Sequence, residues 1–514
     1  MKPSLELFQL VKSLSKSEKR FFKLSSSLQQ GEKNYLKIFD LIEKQDVYDE
    51  EAIKETFKGE TFIRHLPSEK NHLYKLILKS LRSFYADSSI SSVLRQEIKN
   101  VEILYKKALY KECRKFIARA KKLAIEHEKF YYWFELLNWE KTLLEEAFES
   151  GEFDVDLDKL LEEEQLVIDK LRNLAEYQML YSRINYLYRS GGFTRNDEER
   201  KEVDKIAQHH LITGKGTAIS VRATSICYYI QGLCNATNRD YPTAFDKFTR
   251  VKNILDQNPL IRKDLAKRYT LTLKHLMNCY LEGNNLNEAE KIINTMRNIV
   301  NEPGFGDVSV TVKIFTSTSI AELLIAERKG DYTKVLELAD KLVSSLDVYN
   351  DKLHKEQQII IYYNLAYAYF GAGDHNKALR FINYILNDNE QILRQDIYSF
   401  ARLFNLVIHY ELGNYDLLEY VIKSTSRFFS KQVKDYEVEG IIITHLKKLM
   451  RTPNSSDKQK IYLKAKEDME KAFSIPAERV VLHYFDFLVW INAKIDATSF
   501  AESARKSHQI NLGA

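Results

Sequence analysis

Apolar and small residues recur at helical spacing in the stretch Tyr362–Leu386, which reads YYNLAYAYFGAGDHNKALRFINYIL. The pattern stops at GAGD and then resumes. The residues that carry it are separated by twelve, four and three positions: Ala366, Ala378, Ile382 and Ile385. Small residues at the first two positions let two antiparallel helices approach closely, and Gly373 can adopt the left-handed conformation that ends a helix. The stretch therefore predicts two antiparallel helices joined by a short turn.

The same spacing recurs five more times along the chain. The further sets are Val101, Cys113, Ile117 and Ala120; Gly232, Ala244, Phe248 and Val251; Met277, Ala289, Ile293 and Met296; Leu323, Val335, Ala339 and Leu342; and Leu406, Leu418, Ile422 and Thr425. Asn284, Gly330 and Gly413 stand at the turns of three of these sets. A helix pair repeated in this way buries its apolar faces by stacking on its neighbours.

The pattern resembles the tetratricopeptide repeat (TPR), a helix–turn–helix unit that stacks into a superhelix. The best matches to the TPR pattern are Tyr362, Leu365, Ala366, Tyr369 and Ala378. The resemblance covers Ser225–Arg427 and extends less clearly to Gln96–Lys129. The units start 40 to 46 residues apart, whereas a standard unit has about 34, so we expect longer helices. The resemblance implies an all-α, TPR-like α-solenoid of antiparallel helix pairs.

Outside these matches, helical periodicity continues with weaker repeats. We predict degenerate repeats over 91–220, TPR-like repeats over 221–430, C-terminal helices over 431–497 and a frayed tail over 498–514. The C-terminal helices are expected near Val433–Met450, Lys458–Phe473 and Ala477–Ile495, where they would close the solenoid.

Residues 1–90 lack the repeat and predict four short helices. The last of these carries Lys75, Lys79 and Arg82 on one side, with Leu73, Leu76, Ile77 and Phe84 expected to pack inward. This order fits a helix-turn-helix nucleic-acid reader, but it also fits an N-terminal helical cap, which solenoid ends require. We favour the cap because the local charge is only +3. The stretch SLSKSEKRFFK resembles the start of TPR proteins of Bacteroidota, most of which have no assigned function.

Charge and composition favour an ordered, soluble protein. The net charge of +5 over 514 residues is too small to indicate nucleic-acid binding. A basic run at Glu97–Lys122 precedes an acidic run at Tyr131–Lys170, and we expect the neighbouring helices to complement each other. The four cysteines are scattered, the N-terminus lacks the apolar core of a signal peptide, and Val480–Ile491 is too short to span a bilayer. We therefore expect a cytoplasmic protein without membrane insertion.

No motif indicates catalysis, a metal or a cofactor. The sequence TGKGT at 213–217 lacks the spacing of a phosphate loop. Asp154, Asp156 and Asp158 resemble a calcium loop, but Lys159 and Gln165 stand where glycine and an acid are needed. His209 and His210 diverge around a helix. We expect a protein that is not an enzyme.

The remaining candidates are residues for binding. In a TPR superhelix the first helix of each unit lines the concave groove, and asparagines there can hold the backbone of a peptide. The candidates on such helices are Asn235, Asn278, Asn364 and Asn405, with Tyr228, Tyr367 and His409 as candidates for additional stacking or hydroxyl contacts. The alternative is that asparagine is simply tolerated on a wet surface.

Two functions remain open at this stage. The first is a scaffold or adaptor that holds a peptide or helix of a protein partner in the concave groove. The second is a ligand- or peptide-responsive regulator in which the N-terminal helices contact nucleic acid through Lys75, Lys79 and Arg82. The sequence identifies neither the partner nor the oligomeric state, since one scaffold serves many roles.

Overall fold

A computed structural model describes residues 5–27, 33–150, 156–191, 194, 197–349, 352–388, 394–430, 437–475 and 478–513. All regular elements within these ranges are helices, and no strand occurs in them. The prediction of an all-α fold is therefore confirmed. Contacts divide the chain into two compact units, Met1–Ile168 and Asp169–Ala514. The boundary lies inside the predicted segment 91–220, and the five-part division predicted from the sequence stays a prediction.

The first unit begins with five helices around a small core. These are α1 (Glu6–Ser13), α2 (Lys16–Ser27), α3 (Asn34–Lys44), α4 (Glu50–Thr56) and α5 (Leu66–Phe84), with a 3₁₀ turn at Thr61–His65. Leu7, Phe22, Phe39, Ile53 and Ile77 are among the side chains buried in this core. The prediction of four helices was incomplete because it missed α1, whose Leu7 packs into the core like the apolar residues of its neighbours.

The rest of the first unit is built from longer helices. They are α6 (Ile90–Lys106), α7 (Tyr110–Glu126), α8 (Phe130–Ser150) and the first part of α9 (Leu157–Gly191). Lys121 of α7 forms ion pairs with Glu140 of α8 at 2.8 Å and Glu163 of α9 at 3.1 Å. The expectation that the basic and acidic runs complement each other is confirmed at this contact.

The second unit contains the remaining helices. These are α10 (Asp197–Ala207), α11 (His210–Thr213), α12 (Val221–Thr237), α13 (Tyr241–Gln257), α14 (Pro259–Asp264), α15 (Ala266–Glu282), α16 (Leu286–Ile299), α17 (Val308–Arg328), α18 (Tyr332–Tyr349), α19 (Lys355–Gly371), α20 (His375–Leu386), α21 (Gln395–Glu411), α22 (Tyr415–Phe429), α23 (Glu437–Arg451), α24 (Ser455–Ala472), α25 (Phe487–Ile495) and α26 (Phe500–Gly513). A 3₁₀ turn, Glu478–His483, lies between α24 and α25.

The repeat pattern read from the sequence is present as packed helix pairs. Every residue of the six predicted sets is buried. The residue seven positions after the first member of each set has a positive φ: Ala108, Arg239, Asn284, Gly330, Gly373 and Gly413. The left-handed residue thus ends the first helix of every pair, including pairs where no glycine is available. The chain folds as a TPR-like helical repeat.

One glycine marks a close approach between the two helices of a pair. A Cβ added to Gly232 of α12 would lie 2.7 Å from the Phe248 ring of α13. No real Cβ contact is that short, so α12 and α13 approach more closely than any larger residue would allow.

The helix α17 is the one described helix long and apolar enough to cross a membrane, judged by length and composition alone. Its buried side chains include Val312, Ile314, Leu323 and Ile325, which pack in the cores shared with the neighbouring repeat helices. Among apolar segments, the sequence analysis considered Val480–Ile491 and not α17, whose hydrophobic run is interrupted by threonines and serines.

The C-terminal residues 478–513, here called the C-terminal segment, differ from the expectation. The predicted long helix at Ala477–Ile495 is instead a 3₁₀ turn followed by the short helix α25. The tail was predicted to fray, and that prediction was wrong for its described side chains. Ser503 is buried and donates a hydrogen bond to the Val489 carbonyl at 2.9 Å, and Arg505 donates one to the Gly330 carbonyl at 2.9 Å.

Candidate peptide-binding groove

The first helices of the repeats share one stripe of residues. It is found by counting from the anchors, the first members of the repeat sets: Gly232, Met277, Leu323, Ala366 and Leu406. Positions ten, six and three before an anchor and one after it lie within about 60° of each other around the helix, since each residue advances about 100°. This inner stripe comprises Arg222, Ile226, Tyr229 and Leu233 (α12); Lys267, Leu271, Lys274 and Asn278 (α15); Lys313, Ser317, Ile320 and Leu324 (α17); Glu356, Ile360, Tyr363 and Tyr367 (α19); and Asp396, Phe400, Leu403 and Val407 (α21).

A stripe residue of α19 contacts the end of α9, which agrees with a stripe on the inner face. Arg189, near the end of α9, donates a hydrogen bond from Nε to the Glu356 carboxylate at 3.2 Å. These two residues are separated in sequence by the helices α10 to α18, so a stripe residue of α19 contacts the helix that precedes the repeats.

The first end of the inner stripe is covered by α9. All four stripe residues of α12 are buried. The ring of Tyr181 in α9 lies 5.8 Å from that of Tyr229, and the ring of Tyr188 lies 5.4 Å from that of His275. Burial lowers the pKa of His275 to about 3, so this histidine is a neutral packing group whose Nε2 lies 3.1 Å from the Tyr229 hydroxyl.

The far end of the stripe is covered by the C-terminal segment. The four stripe residues of α21 are buried. Tyr484 stacks on Phe400 with the ring centroids 4.1 Å apart, and its hydroxyl donates to the Asp396 carboxylate. Phe485 lies 4.5 Å from the Phe404 ring. The chain therefore fills this end of its own groove.

Between the two covered ends, the stripe residues of α15 and α17 are half-buried or exposed. We call these eight residues the open stretch: Lys267, Leu271, Lys274, Asn278, Lys313, Ser317, Ile320 and Leu324. They combine three cations, two small polar side chains and three aliphatic side chains. Such a surface offers apolar contact and a few directed polar groups, which is the usual composition of a ligand-binding groove.

The acid whose charge acts on Lys274 and Lys313, Glu356, lies outside ion-pair distance of both. Among the described residues, Lys267, Lys274 and Lys313 form no ion pair within 4.0 Å. The nearby carboxylates are engaged elsewhere: Glu356 binds Arg189, and Asp396 accepts a hydrogen bond from Arg394 Nε at 3.0 Å.

The pKa shifts agree with this local excess of positive charge. Burial lowers the pKa of Lys274, and the charges of Arg394, Lys313 and Arg189 lower it further against the opposing effect of Glu356. Burial, followed by the charges of Lys267 and Arg189, lowers the pKa of Lys313 against the opposing effect of Glu356. The cations of the open stretch therefore destabilise one another.

The structure places the predicted asparagines in different registers. Asn278 lies in the open stretch. Asn235 and Asn364 are half-buried, and their amides donate to carbonyls of their own helices, to Gln231 at 2.9 Å and to Ile360 at 2.8 Å. Asn405 is 5% exposed. The four residues thus do not form one row along the groove, because each lies at a different distance from its anchor.

The other predicted groove residues lie outside the open stretch. Tyr367 belongs to the inner stripe, but its ring lies 5.7 Å from that of Phe485 in the C-terminal segment. His409 is buried, and burial lowers its pKa. Tyr228 lies under the guanidinium of Arg250 at 5.4 Å. A peptide contact at any of these residues stays a prediction.

Sequence reasoning missed the three lysines of the open stretch. It searched for asparagine on first helices and did not count each position from its anchor. Lys267 and Lys313 both stand ten residues before an anchor, and Lys274 stands three before one. The register would have placed all three on the inner stripe.

The candidate nucleic-acid residues lie on α5 of the first unit. Lys75, Lys79 and Arg82 are exposed, and Leu73 and Ile77 on the same helix are buried. The predicted separation of basic and apolar sides is confirmed for these five residues. The prediction that Phe84 packs inward was wrong: it is 36% exposed and contacts the rings of Phe21 and Tyr85 at the end of the helix. Nucleic-acid contact stays a prediction.

A separate cavity of about 700 Å³ lies beside the C-terminal segment in the second unit. Its lining includes Tyr332, Phe370, His375, Glu411 and Trp490. Glu411 is engaged by Trp490 and Lys494, which donate to its carboxylate at 2.6 and 2.7 Å. Across the described ranges, no group of three or more His, Cys, Asp or Glu residues is arranged to hold a metal ion.

Comparison with known proteins adds a weak structural likeness. No family model and no curated protein matches the chain. Among solved structures, the apo form of the quorum sensor NprR from B. thuringiensis matches with a TM-score of 0.40 and 11% sequence identity, covering 72% of this chain and 99% of that one. The fold assignment made above rests on the helix pairs themselves.

Proposed function

We propose that this chain is a cytoplasmic, non-enzymatic helical repeat protein that binds a peptide or helix of a protein partner in the open stretch of its groove. The supporting observation is that other parts of the chain cover the inner stripe at both ends but not in the middle. The stripe is buried by α9 at α12 and by the C-terminal segment at α21, while α15 and α17 keep half-buried aliphatic and polar side chains free for a ligand. The role is that of an adaptor or a peptide-responsive regulator.

The four cysteines support the cytoplasmic part of the proposal. Cys113, Cys227, Cys234 and Cys279 are all buried and unpaired. Burial raises the pKa of each thiol, so they act as small packing groups, as expected for a protein from a reducing compartment.

The proposal is tested by selecting ligands against the full chain. A phage-displayed library of random dodecamers is panned on the wild-type protein, and the selected peptides are measured by fluorescence anisotropy. The Ser317→Trp variant places a large ring in the open stretch and should abolish binding. Ser426→Trp, on α22 away from the stripe, is the control. If no selected peptide is lost in Ser317→Trp, the groove is not the binding site.

A second candidate function rests on α5. Lys75, Lys79 and Arg82 are exposed and form no ion pair within the described part of the chain, so the regulator alternative retains a surface for phosphates. Retention on duplex DNA should fall steeply with salt and should be lost when all three residues are changed to glutamine. Retention that does not change in this variant would remove the candidate.

A further inference from the structure

The three lysines of the open stretch lie on adjacent helices. Lys267 and Lys274 are two turns apart on α15, and Lys313 of α17 stands in the same register as Lys267. Packed helices lie about 8–10 Å apart, so the three lysines stand at neighbouring positions along the inner stripe. The charge of Lys313 lowers the pKa of Lys274, and the charge of Lys267 lowers the pKa of Lys313, which agrees with this proximity.

Keeping these lysines together is unfavourable for the protein alone. Partial burial of Lys274 and Lys313 costs hydration energy, like charges repel, and Glu356, the acid whose charge acts on both, is bound by Arg189. Their arrangement makes physical sense when an anionic ligand supplies the missing counter-charge. Ionisable groups perturbed by burial and by a specific charged environment in a groove are frequent markers of a functional site.

The other residues of the open stretch distinguish between anionic ligands. Leu271, Ile320 and Leu324 lie between the lysines and offer aliphatic contact, and Asn278 can both donate to and accept from a peptide backbone. None of the eight residues is aromatic, whereas grooves for single-stranded nucleic acid stack bases on aromatic rings. This composition fits a peptide better than a nucleic acid.

The spacing also fits an extended peptide. Side chains two residues apart in an extended chain point to the same side and are separated by about 7 Å. Two carboxylates at that spacing could each approach a different lysine while the intervening residues contact the aliphatic side chains.

We infer that the open stretch selects an acidic peptide segment, in which alternating carboxylates bind Lys267, Lys274 and Lys313 and apolar residues pack on Leu271, Ile320 and Leu324. The inference rests on the proposed function, and it adds the chemical class of the ligand.

The first test uses a labelled octapeptide of four Asp-Leu repeats and its Asn-Leu counterpart. Fluorescence anisotropy with the full chain should show at least tenfold tighter binding of the acidic peptide, and the difference should shrink with added salt. Changing all three lysines to glutamine should remove the preference. Lys447→Gln/Lys448→Gln, a change of two exposed lysines on α23, should leave it intact. A thermal melt of each variant checks that it folds.

Three outcomes would overturn the inference. Equal affinity for the two octapeptides excludes charge selection. A preference that survives in the triple variant places the acidic contact elsewhere. Binding of a dT12 oligonucleotide that depends on the three lysines, without binding of the acidic peptide, identifies a nucleic-acid site instead.

The dodecamer selection separates failure of this inference from failure of the proposed function. If selected peptides no longer bind Ser317→Trp but show no enrichment in aspartate or glutamate, peptide binding in the groove is supported and selection of acidic peptides is excluded. If no selected peptide responds to Ser317→Trp, the proposed function itself fails.

Discussion

The middle and the far end of the inner stripe use the same helical register for opposite purposes. On α15 and α17 the stripe carries lysines without counter-ions and half-exposed aliphatic residues, whereas on α21 it carries Phe400, Leu403 and Val407, all buried. The one charged stripe residue of α21, Asp396, is bound by Arg394 and Tyr484. Position in a repeat therefore decides where a side chain points, but the element that covers it decides whether it packs or binds.

The largest effect on this difference is expected when the C-terminal segment loses its packing against the far end of the inner stripe. Phe485 is 1% exposed and contacts the rings of Phe370 and Phe404. Phe485→Ala should lower the free energy of unfolding by about 3–5 kcal/mol, because it leaves a cavity in an aromatic cluster. Urea denaturation measures this loss of stability. Hydrogen exchange in the variant should accelerate relative to the wild type, and more so in residues 478–513 than in α12.

An unchanged exchange rate in the C-terminal segment would show that its cover of the groove does not depend on Phe485. Leu482→Ala is the matched control within the segment, because Leu482 is 37% exposed and should contribute little to the packing.

The close approach within a repeat is tested by the same substitution at two glycines. Gly232→Ala should destabilise the protein by about 1–3 kcal/mol, because its Cβ would overlap the Phe248 ring. Gly440→Ala, in α23, should stabilise it by about 0.5–1 kcal/mol, because no atom lies within 4 Å of the added Cβ and alanine is the better helix former. Opposite signs in urea denaturation are the expected result, and two changes of the same sign would contradict the packing argument.

A buried carboxylate near the C-terminal segment gives a pH-dependent effect. Burial raises the pKa of Glu327 well above its usual range, and the charge of Arg328 opposes the shift. The folded state therefore favours the protonated acid. Its stability should decline as pH rises above the pKa of about 4.3 that Glu has in an unfolded chain.

Glu327→Gln should remove this pH-dependent loss. The variant should be more stable than the wild type by about 1 kcal/mol near neutral pH, and the difference should disappear near pH 4. Thermal unfolding across this range measures it. A constant difference between the two proteins at all pH values would show that folding does not shift the pKa of Glu327. Glu337→Gln, an exposed site on α18, is the control.

Most of the repeat architecture was predictable because it depends on the spacing of apolar residues that lie close together in sequence. Ala366, Ala378 and the residues after them report a helix pair through periodicity alone, and the left-handed turn at Gly373 follows from one residue. The C-terminal segment could not be predicted in this way. Its position depends on contacts such as Phe485 with Phe370, which lie far apart in sequence and follow no repeat.

The candidate site was only partly predictable for a related reason. Asn278 was found because its residue type fits peptide binding, but Asn405 fits that type equally well and is buried. Residue type does not distinguish the two. The count from the anchor separates them, since Asn278 follows its anchor by one residue and Asn405 precedes its anchor by one.

The smallest expected effect is the sharpest test of that distinction. Asn278→Ala should lower the affinity for a groove-bound peptide by about fivefold, the value of one neutral hydrogen bond near 1 kcal/mol, with little change in stability because the residue is half-buried at the open surface. Asn405→Ala should leave the affinity unchanged and alter the free energy of unfolding instead, because Asn405 lies inside α21 with 5% exposure. For each variant, fluorescence anisotropy measures the peptide affinity and urea denaturation measures the free energy of unfolding. If the two alanine variants behave alike, the register assigned to the inner stripe is wrong, and the open stretch loses its basis as the ligand site.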